Sequence, residues 1–231
     1  MKRYRHLFFD LDHTLWDFRA NSRETLRELL TAHDMLARGV PDAEAFIAVY
    51  EEINHGLWAE HGAGRMPKEV MRVLRFRRAL QHFGVVDGRL PGKLSEEYLA
   101  QCPLKPALMP GTAELLDALD GQYRMHIITN GFEEVQHVKL AHSGIAQLFD
   151  VVLTSERAGA AKPSAAIFTE ALKRTGAKAA ESLMIGDNAE TDMLGARLAG
   201  WDQAHYHAET DPDPQATHRF AHHDELRRLL A

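Results

Sequence analysis

The sequence predicts an α/β protein: a doubly wound parallel sheet whose chain is interrupted early by a helical insertion. Three observations predict it. Short, continuously apolar runs, Leu7-Phe8-Phe9, Met125-His126-Ile127-Ile128 and Leu183-Met184-Ile185, have the pattern of strands buried on both faces. From Thr112 onward strand-like and helix-like segments alternate, as a parallel sheet with helices on both faces requires. Residues 10–124 separate the first run from the second, far more than a crossover needs, and many of their apolar positions recur at helical spacing.

The first run would deliver Asp10 to the carboxyl end of its strand, where ligand crevices form in open α/β sheets. An ionised carboxylate there can attack a phosphorus whose charge a cation neutralises. Asp12 reaches the same crevice if the strand has ended in a turn. By itself an Asp-x-Asp is more often a strand-end and turn pair than a catalytic one.

Helices are expected next over Ser22–Leu36, Asp42–Glu60 and Pro67–Phe83, with a shorter one near Leu94–Ala100. Phe46, Val49, Tyr50, Ile53 and Leu57 mark the stripe of the second, and Gly39-Val40-Pro41, Gly62-Ala63-Gly64 and Gly84 punctuate the series. Pro103, Pro106 and Pro110-Gly111 mark the return, so the domain boundaries fall at 1–15 with 107–231 for the α/β core and 16–106 for the insertion.

The second strand closes on Thr129-Asn130-Gly131, where a hydroxyl and free backbone N–H groups can hold a phosphate oxygen. The plainer alternative is a turn whose Asn and Gly tolerate positive φ. Lys162 precedes Pro163 and is therefore held outside a helix. Pro163-Ser164 then open an amphipathic run through Ile167, Phe168, Ala171 and Leu172 that stops at Gly176. The next strand ends in Gly186-Asp187, and Asp187 is a hard oxygen ligand suited to Mg²⁺. Asp192 follows in the expected first turn of an Ala189–Ala199 helix, where acids also suit the helix dipole.

Composition narrows the classes. The 231 residues, 45% apolar and 26% charged, are ordinary for a globular chain. A net charge of −6 offers no basic surface to a nucleic-acid polymer. The single Cys102 excludes an intrachain disulfide. The basic opening Met1-Lys2-Arg3-Tyr4-Arg5 is followed by an apolar stretch that Asp10 and Asp12 cut too short for a signal peptide, and no run reaches transmembrane length. The expected compartment is the cytoplasm, and nothing in the sequence specifies an oligomer. Of the tail histidines, His205 and His207 alternate in an expected strand and His218, His222 and His223 lack ligand spacing, so all five read as packed or solvated rather than metal-binding.

Taken together, Asp10-Leu11-Asp12, Ile127-Ile128-Thr129-Asn130-Gly131, Ala161-Lys162-Pro163 and Met184-Ile185-Gly186-Asp187-Asn188-Ala189-Glu190-Thr191-Asp192 resemble the four motifs of the haloacid dehalogenase-like (HAD) hydrolase superfamily. The resemblance implies a Rossmann-like core with a helical cap inserted after the first motif. It implies Asp10 as nucleophile and Asp12 as acid/base partner, with Thr129, Asn130, Lys162 and the backbone of Leu11 and Asp12 around the phosphate. It also implies Mg²⁺ on Asp10, Asp187 and the carbonyl of Asp12, supported by Asn188 and Asp192. The acid at position 12 argues for phosphoester chemistry over dehalogenation, which has no leaving oxygen to protonate. A finer similarity, in Asp10 to Phe18, Ile53-Asn54-His55-Gly56-Leu57-Trp58 and Lys68-Glu69 with Arg75-Phe76, is to the noncanonical pyrimidine 5′-nucleotidases of that superfamily. It implies a small phosphorylated substrate, a nucleoside monophosphate, with Trp58, Arg72 and Arg75 as candidate contacts from the cap. Sugar-phosphate or phosphoglycolate phosphatases and phosphomutases share the same core. A phospho-receiver domain also clusters aspartates, but has neither the Asp-x-Asp nor the insertion.

Overall fold

A computed structural model describes residues 4–208 and 210–230, so residues 1–3 of the basic opening lie outside the described residues. In chain order the elements are β1 (His6–Phe9), α1 (Phe18–Ala32), α2 (Ala43–Gly62), α3 (Lys68–His82), α4 (Leu90–Gln101) and α5 (Thr112–Leu119). They continue with β2 (Arg124–Thr129), α6 (Glu133–His142), β3 (Val151–Thr154), α7 (Ser155–Ala158), α8 (Ala165–Thr175) and β4 (Ser182–Gly186). After a π-helical turn, Ala189–Met193, come α9 (Leu194–Leu198), β5 (Asp202–Tyr206), β6 (His218–Phe220) and α10 (His223–Leu230). The chain divides into two compact units, Met1–Phe18 with Lys105–Ala231, and Arg19–Leu104.

The first unit is the α/β core. Its strands form a six-stranded parallel sheet in the order β3-β2-β1-β4-β5-β6. Strand order reverses beside β1, which makes the carboxyl ends of β1 and β4 the switch point where such sheets bind ligands. The register sets Phe9 against Ile127 on one side and Ile185 on the other, so Asp10, Ile128-Thr129 and Gly186 emerge at one level. Both sheet faces are dry. Phe8, Ile128, Leu153 and Met184 pack with Phe168, Met193, Ala196 and Trp201 in one buried cluster, while Leu7 and Phe9 are fully buried as well. Burying each such side chain contributes roughly 1.5–3 kcal/mol. That is why the strands read as unbroken apolar runs.

The second unit holds most of α1 with α2, α3 and α4, packed on Phe46, Tyr50, Leu57, Phe76, Leu80, Leu94 and Tyr98. Two of its helix starts differ from the sequence expectation. Helix α1 begins at Phe18, ahead of the Ser22 that reads as a start, because the buried Ser22 hydroxyl accepts from Tyr98 Oη at 2.7 Å and serves packing. Helix α4 begins at Leu90, ahead of Leu94, because Asp87 Oδ1 accepts from the N–H groups of Arg89 (2.8 Å) and Leu90 (3.0 Å). No described helix is long and apolar enough to cross a membrane.

Candidate active site

Asp10 leaves β1 with its N–H donated to Ile185 O at 2.8 Å, which seats the residue between β1 and β4. The chain then turns sharply: the N–H groups of Leu15 and Trp16 both donate to Leu11 O, and His13 takes a left-handed φ of 64°. A residue with a Cβ adopts that conformation at a cost of about 1–2 kcal/mol, a strain common at functional sites. This turn brings Asp12 and Thr14 back to the sheet edge.

Lys162 is the centre of the site. Its buried ammonium donates to Asp10 Oδ1 at 2.6 Å and to Ile128 O at 2.8 Å, and lies 2.6 Å from Asp192 Oδ1. Its backbone is clamped by Asn130, whose Nδ2 donates to Lys162 O (3.0 Å) and whose Oδ1 accepts from Lys162 N (2.9 Å). The turn before α8 therefore holds the lysine as Pro163 predicts, with Ser164 and Gly176 capping that helix. Burial works against the Lys162 charge, yet Asp10 and Asp192 together hold its pKa above the ordinary lysine range.

Asp187 follows β4 and accepts from Thr14 Oγ1 at 3.1 Å. Asp192 comes from the π-helical turn that replaces the start of the expected Ala189–Ala199 helix. Such turns recur at functional sites because the wider coil re-aims one side chain. Here Asn188 Oδ1 caps the turn on the N–H groups of Glu190 (2.9 Å) and Thr191 (3.0 Å), while Asp192 Oδ2 accepts from Asn188 N at 3.2 Å. A Cβ at Gly186 would collide with the Asp192 carboxyl, so glycine is what lets that acid reach Lys162.

Carboxylate oxygens of Asp10, Asp187 and Asp192 all lie within 4.8 Å of one another. With only protein groups to balance it, the cluster is over-anionic. Burial pushes Asp10 up to about 7, with Lys162 opposing and Asp192 adding. Burial likewise pushes Asp187 up to about 6, with Asp10 adding. Three acids against one ammonium leave room for one divalent cation, and an all-oxygen donor set suits Mg²⁺.

Thr129, also buried, accepts from Gly131 N at 3.0 Å, which leaves its hydroxyl proton to donate elsewhere. Gly131 itself has no positive φ; a Cβ there would collide with the Gln136 amide, so room and not turn freedom explains the glycine. Two functional neighbours were not read from the sequence. Lys139, on α6, donates to both Asp12 oxygens at 2.7 and 2.8 Å, and Gln136 Nε2 donates to Asp12 Oδ2 at 3.3 Å. The spacing of Gln136 and Lys139 on one helix face behind Gly131 was the available signal.

Two tail histidines pack behind the site. Asp213 N donates to His205 Nδ1 at 2.9 Å, so His205 Nε2 donates to Asp187 O at 2.9 Å. His223 places its ring nitrogens 3.0 Å from the carbonyls of Pro110 and Thr14. Of the candidates in the helical unit, Trp58 is half-buried, edge-on to His61, and Arg72 is half-buried. Arg75 differs from its expected contact role: it is 2% exposed, with its guanidinium over the rings of Tyr98, Phe76 and Tyr50 at 4.7, 5.5 and 5.7 Å, and so serves packing within its own unit.

The profile of the haloacid dehalogenase-like hydrolases matches residues 4–200. The chain is 33% identical to pyrimidine 5′-nucleotidase YjjG of Escherichia coli, over 97% of this chain and 96% of the relative. It is 32% identical to pyrimidine 5′-nucleotidase PynA of Streptococcus pneumoniae, over 98% and 95%. Among solved structures, HAD-hydrolase YfnB of Bacillus subtilis, bound to magnesium, superposes with a TM-score of 0.88 at 29% identity, covering 99% of each chain.

Proposed function

The chain belongs to the haloacid dehalogenase-like hydrolases, and from that premise we propose that it is a Mg²⁺-dependent phosphomonoesterase acting on nucleoside 5′-monophosphates, pyrimidine ones first. One observation carries the chemistry: a buried strand-end carboxylate, Asp10, held by Lys162 inside a cluster with Asp187 and Asp192, with a second acid two residues on. The nucleotide preference rests on the two nearly full-length nucleotidase relatives.

Lys162 holds Oδ1 of Asp10, and we assign Oδ2 to the attack on phosphorus. As the new Asp10–phosphorus bond forms, the ester P–O bond breaks and Asp12 gives its proton to the leaving oxygen. Asp12 then takes a proton from water; the water oxygen attacks phosphorus, the aspartyl ester opens, and phosphate leaves with Asp10 restored. Thr129, with its hydroxyl proton unspent, and the backbone N–H groups of Leu11, Asp12 and Asn130 are assigned to hold the transferring oxygens, with the Lys162 charge beside them. Mg²⁺, carried by Asp10, Asp187 and the Asp12 carbonyl with Asp192 in support, supplies charge neutralisation when bound. To the helical insertion, residues 16–106, we assign the role of a cap that excludes water and holds the leaving group, with Trp58 and Arg72 as its candidate contacts to base and sugar.

The test is phosphate release across a panel of nucleotides and sugar phosphates with Mg²⁺. A higher kcat/KM for UMP or dTMP than for AMP and sugar phosphates supports the reading. Preference for sugar phosphates moves it to that phosphatase class, isomerisation of a sugar phosphate to a mutase, and phosphorylation without turnover to a receiver. In kcat/KM, which reports the steps up to leaving-group departure, Asp12→Asn should lose far less on nitrophenyl phosphate than on a nucleotide, because a good leaving group needs no proton.

A further inference from the structure

We infer that Lys139, seated between the Trp16 indole and the Asp12 carboxyl, is a positioning residue for the acid/base group, with Gln136 completing the seat. The chemical part of this inference rests on the phosphatase reading above. The geometry does not.

The residue is 4% exposed and lies in the last turn of α6, where a lysine would ordinarily reach back to the helix carbonyls or into water. Instead its Nζ meets both oxygens of Asp12, a residue 127 positions earlier, at 2.7 and 2.8 Å. The ammonium stands 4.5 Å from the Trp16 ring centre and 5.7 Å from that of Phe18. Trp16 is itself immobilised, fully buried with Nε1 donated to Lys105 O at 3.0 Å. Gln136, 1% exposed, adds its Nε2 to Asp12 Oδ2 at 3.3 Å, while its Oε1 has no hydrogen-bond partner among the described residues. The amide is therefore turned toward the carboxyl for that one contact, in space that Gly131 leaves open. Burying an ammonium this deeply costs several kcal/mol unless its partner is well placed. A purely structural pair would not need an acid at the mouth of the site.

A carboxyl on a turn has two free torsions, and a proton passes efficiently only along a fixed direction. Lys139 contacts both oxygens, which fixes the plane of the Asp12 carboxyl, and Gln136 fixes its rotation about that contact.

The experiment compares Lys139→Met, Lys139→Arg and Asp12→Asn on nitrophenyl phosphate and on a nucleoside monophosphate. Lys139→Met is expected to lower kcat/KM, which reports the steps up to leaving-group departure, about 10- to 100-fold on the nucleotide but less than about 3-fold on the aryl ester, with the Mg²⁺ titration little changed. Lys139→Arg should recover most of the nucleotide rate, and adding Lys139→Met to Asp12→Asn should cost little more. Equal losses of kcat/KM on both esters, no rescue by arginine, or multiplied losses in the double variant overturn the inference. If the wild type releases phosphate from no ester, the phosphatase reading falls separately, and the pairing is judged by Tm alone. The double variant should then lose less than the sum of the single losses, and additive losses overturn the seat.

Discussion

Lys162 in the α/β core and Arg75 in the helical unit are both buried cations, and the two are balanced in opposite ways. In the α/β core Lys162 is met by two carboxylates and a carbonyl. In the helical unit no carboxylate among the described residues pairs with Arg75. Its Nη1 donates to Asn54 Oδ1 at 3.2 Å and its Nε to Arg72 O at 3.3 Å, and three aromatic rings surround it. The core site carries more negative charge than its own residues cancel, a balance that a divalent cation would complete. The helical unit spreads one charge over π-faces and amides, an arrangement that serves packing and asks for no ligand.

The strongest test of this contrast removes the reacting carboxylate. Asp10→Asn should leave less than about one per cent of wild-type turnover with the fold intact, since loss of a covalent nucleophile costs orders of magnitude. Activity above that level breaks the assignment. Removing the two cations should then separate the units. Lys162→Met strands Asp10 and Asp192 in a buried site and should cost about 3–5 kcal/mol at neutral pH, whereas Arg75→Met should cost less than about 1.5 kcal/mol or stabilise. Equal losses in denaturant titrations would erase the distinction.

A smaller effect sharpens the charge argument. Because burial raises Asp10 and Asp187 above their ordinary 3.8, the folded chain holds extra protons up to about pH 7 and loses stability as pH rises through that window. Mg²⁺ should restore it, so saturating metal should raise Tm more at about pH 7.5 than at about pH 5. Equal shifts at both would mean the cluster is not the metal site. The smallest effect lies at the opposite end of the sheet. His126 is fully buried, 3.0 Å from His6, and burial lowers its pKa from 6.5 to about 4. A depressed histidine stabilises the fold in full above 6.5, and the contribution drains away as pH falls toward 4. Thermal melts across that range should show the slope, and His126→Phe should flatten it.

Much of the site was legible because its parts are local. Asp10, Thr129 and Asp187 each follow an apolar run with the pattern of a doubly buried strand, and Lys162 is held out of a helix by Pro163. What stayed hidden is non-local. Lys139 looks like an ordinary last-turn lysine, Gln136 like a helix-surface amide, and His205 and His223 like tail residues, until the fold brings them to Asp12, Asp187 and Thr14. Strands β3 and β6 were not singled out either, being four and three residues long at the sheet edges.

Residue type and short-range pattern thus determined the parallel sheet, the helical insertion and the order in which Asp10, Thr129, Lys162 and Asp187 arrive, because burial on both faces and strand-end position are written into consecutive residues. Tertiary structure alone decided that Asp192 reaches Lys162 through a π-helical turn over Gly186, that Asp12 is seated on Lys139, and that Arg75 belongs to packing. The physical reason is that a side chain's charge balance depends on partners 21 to 127 positions away, and no periodicity in the sequence records them.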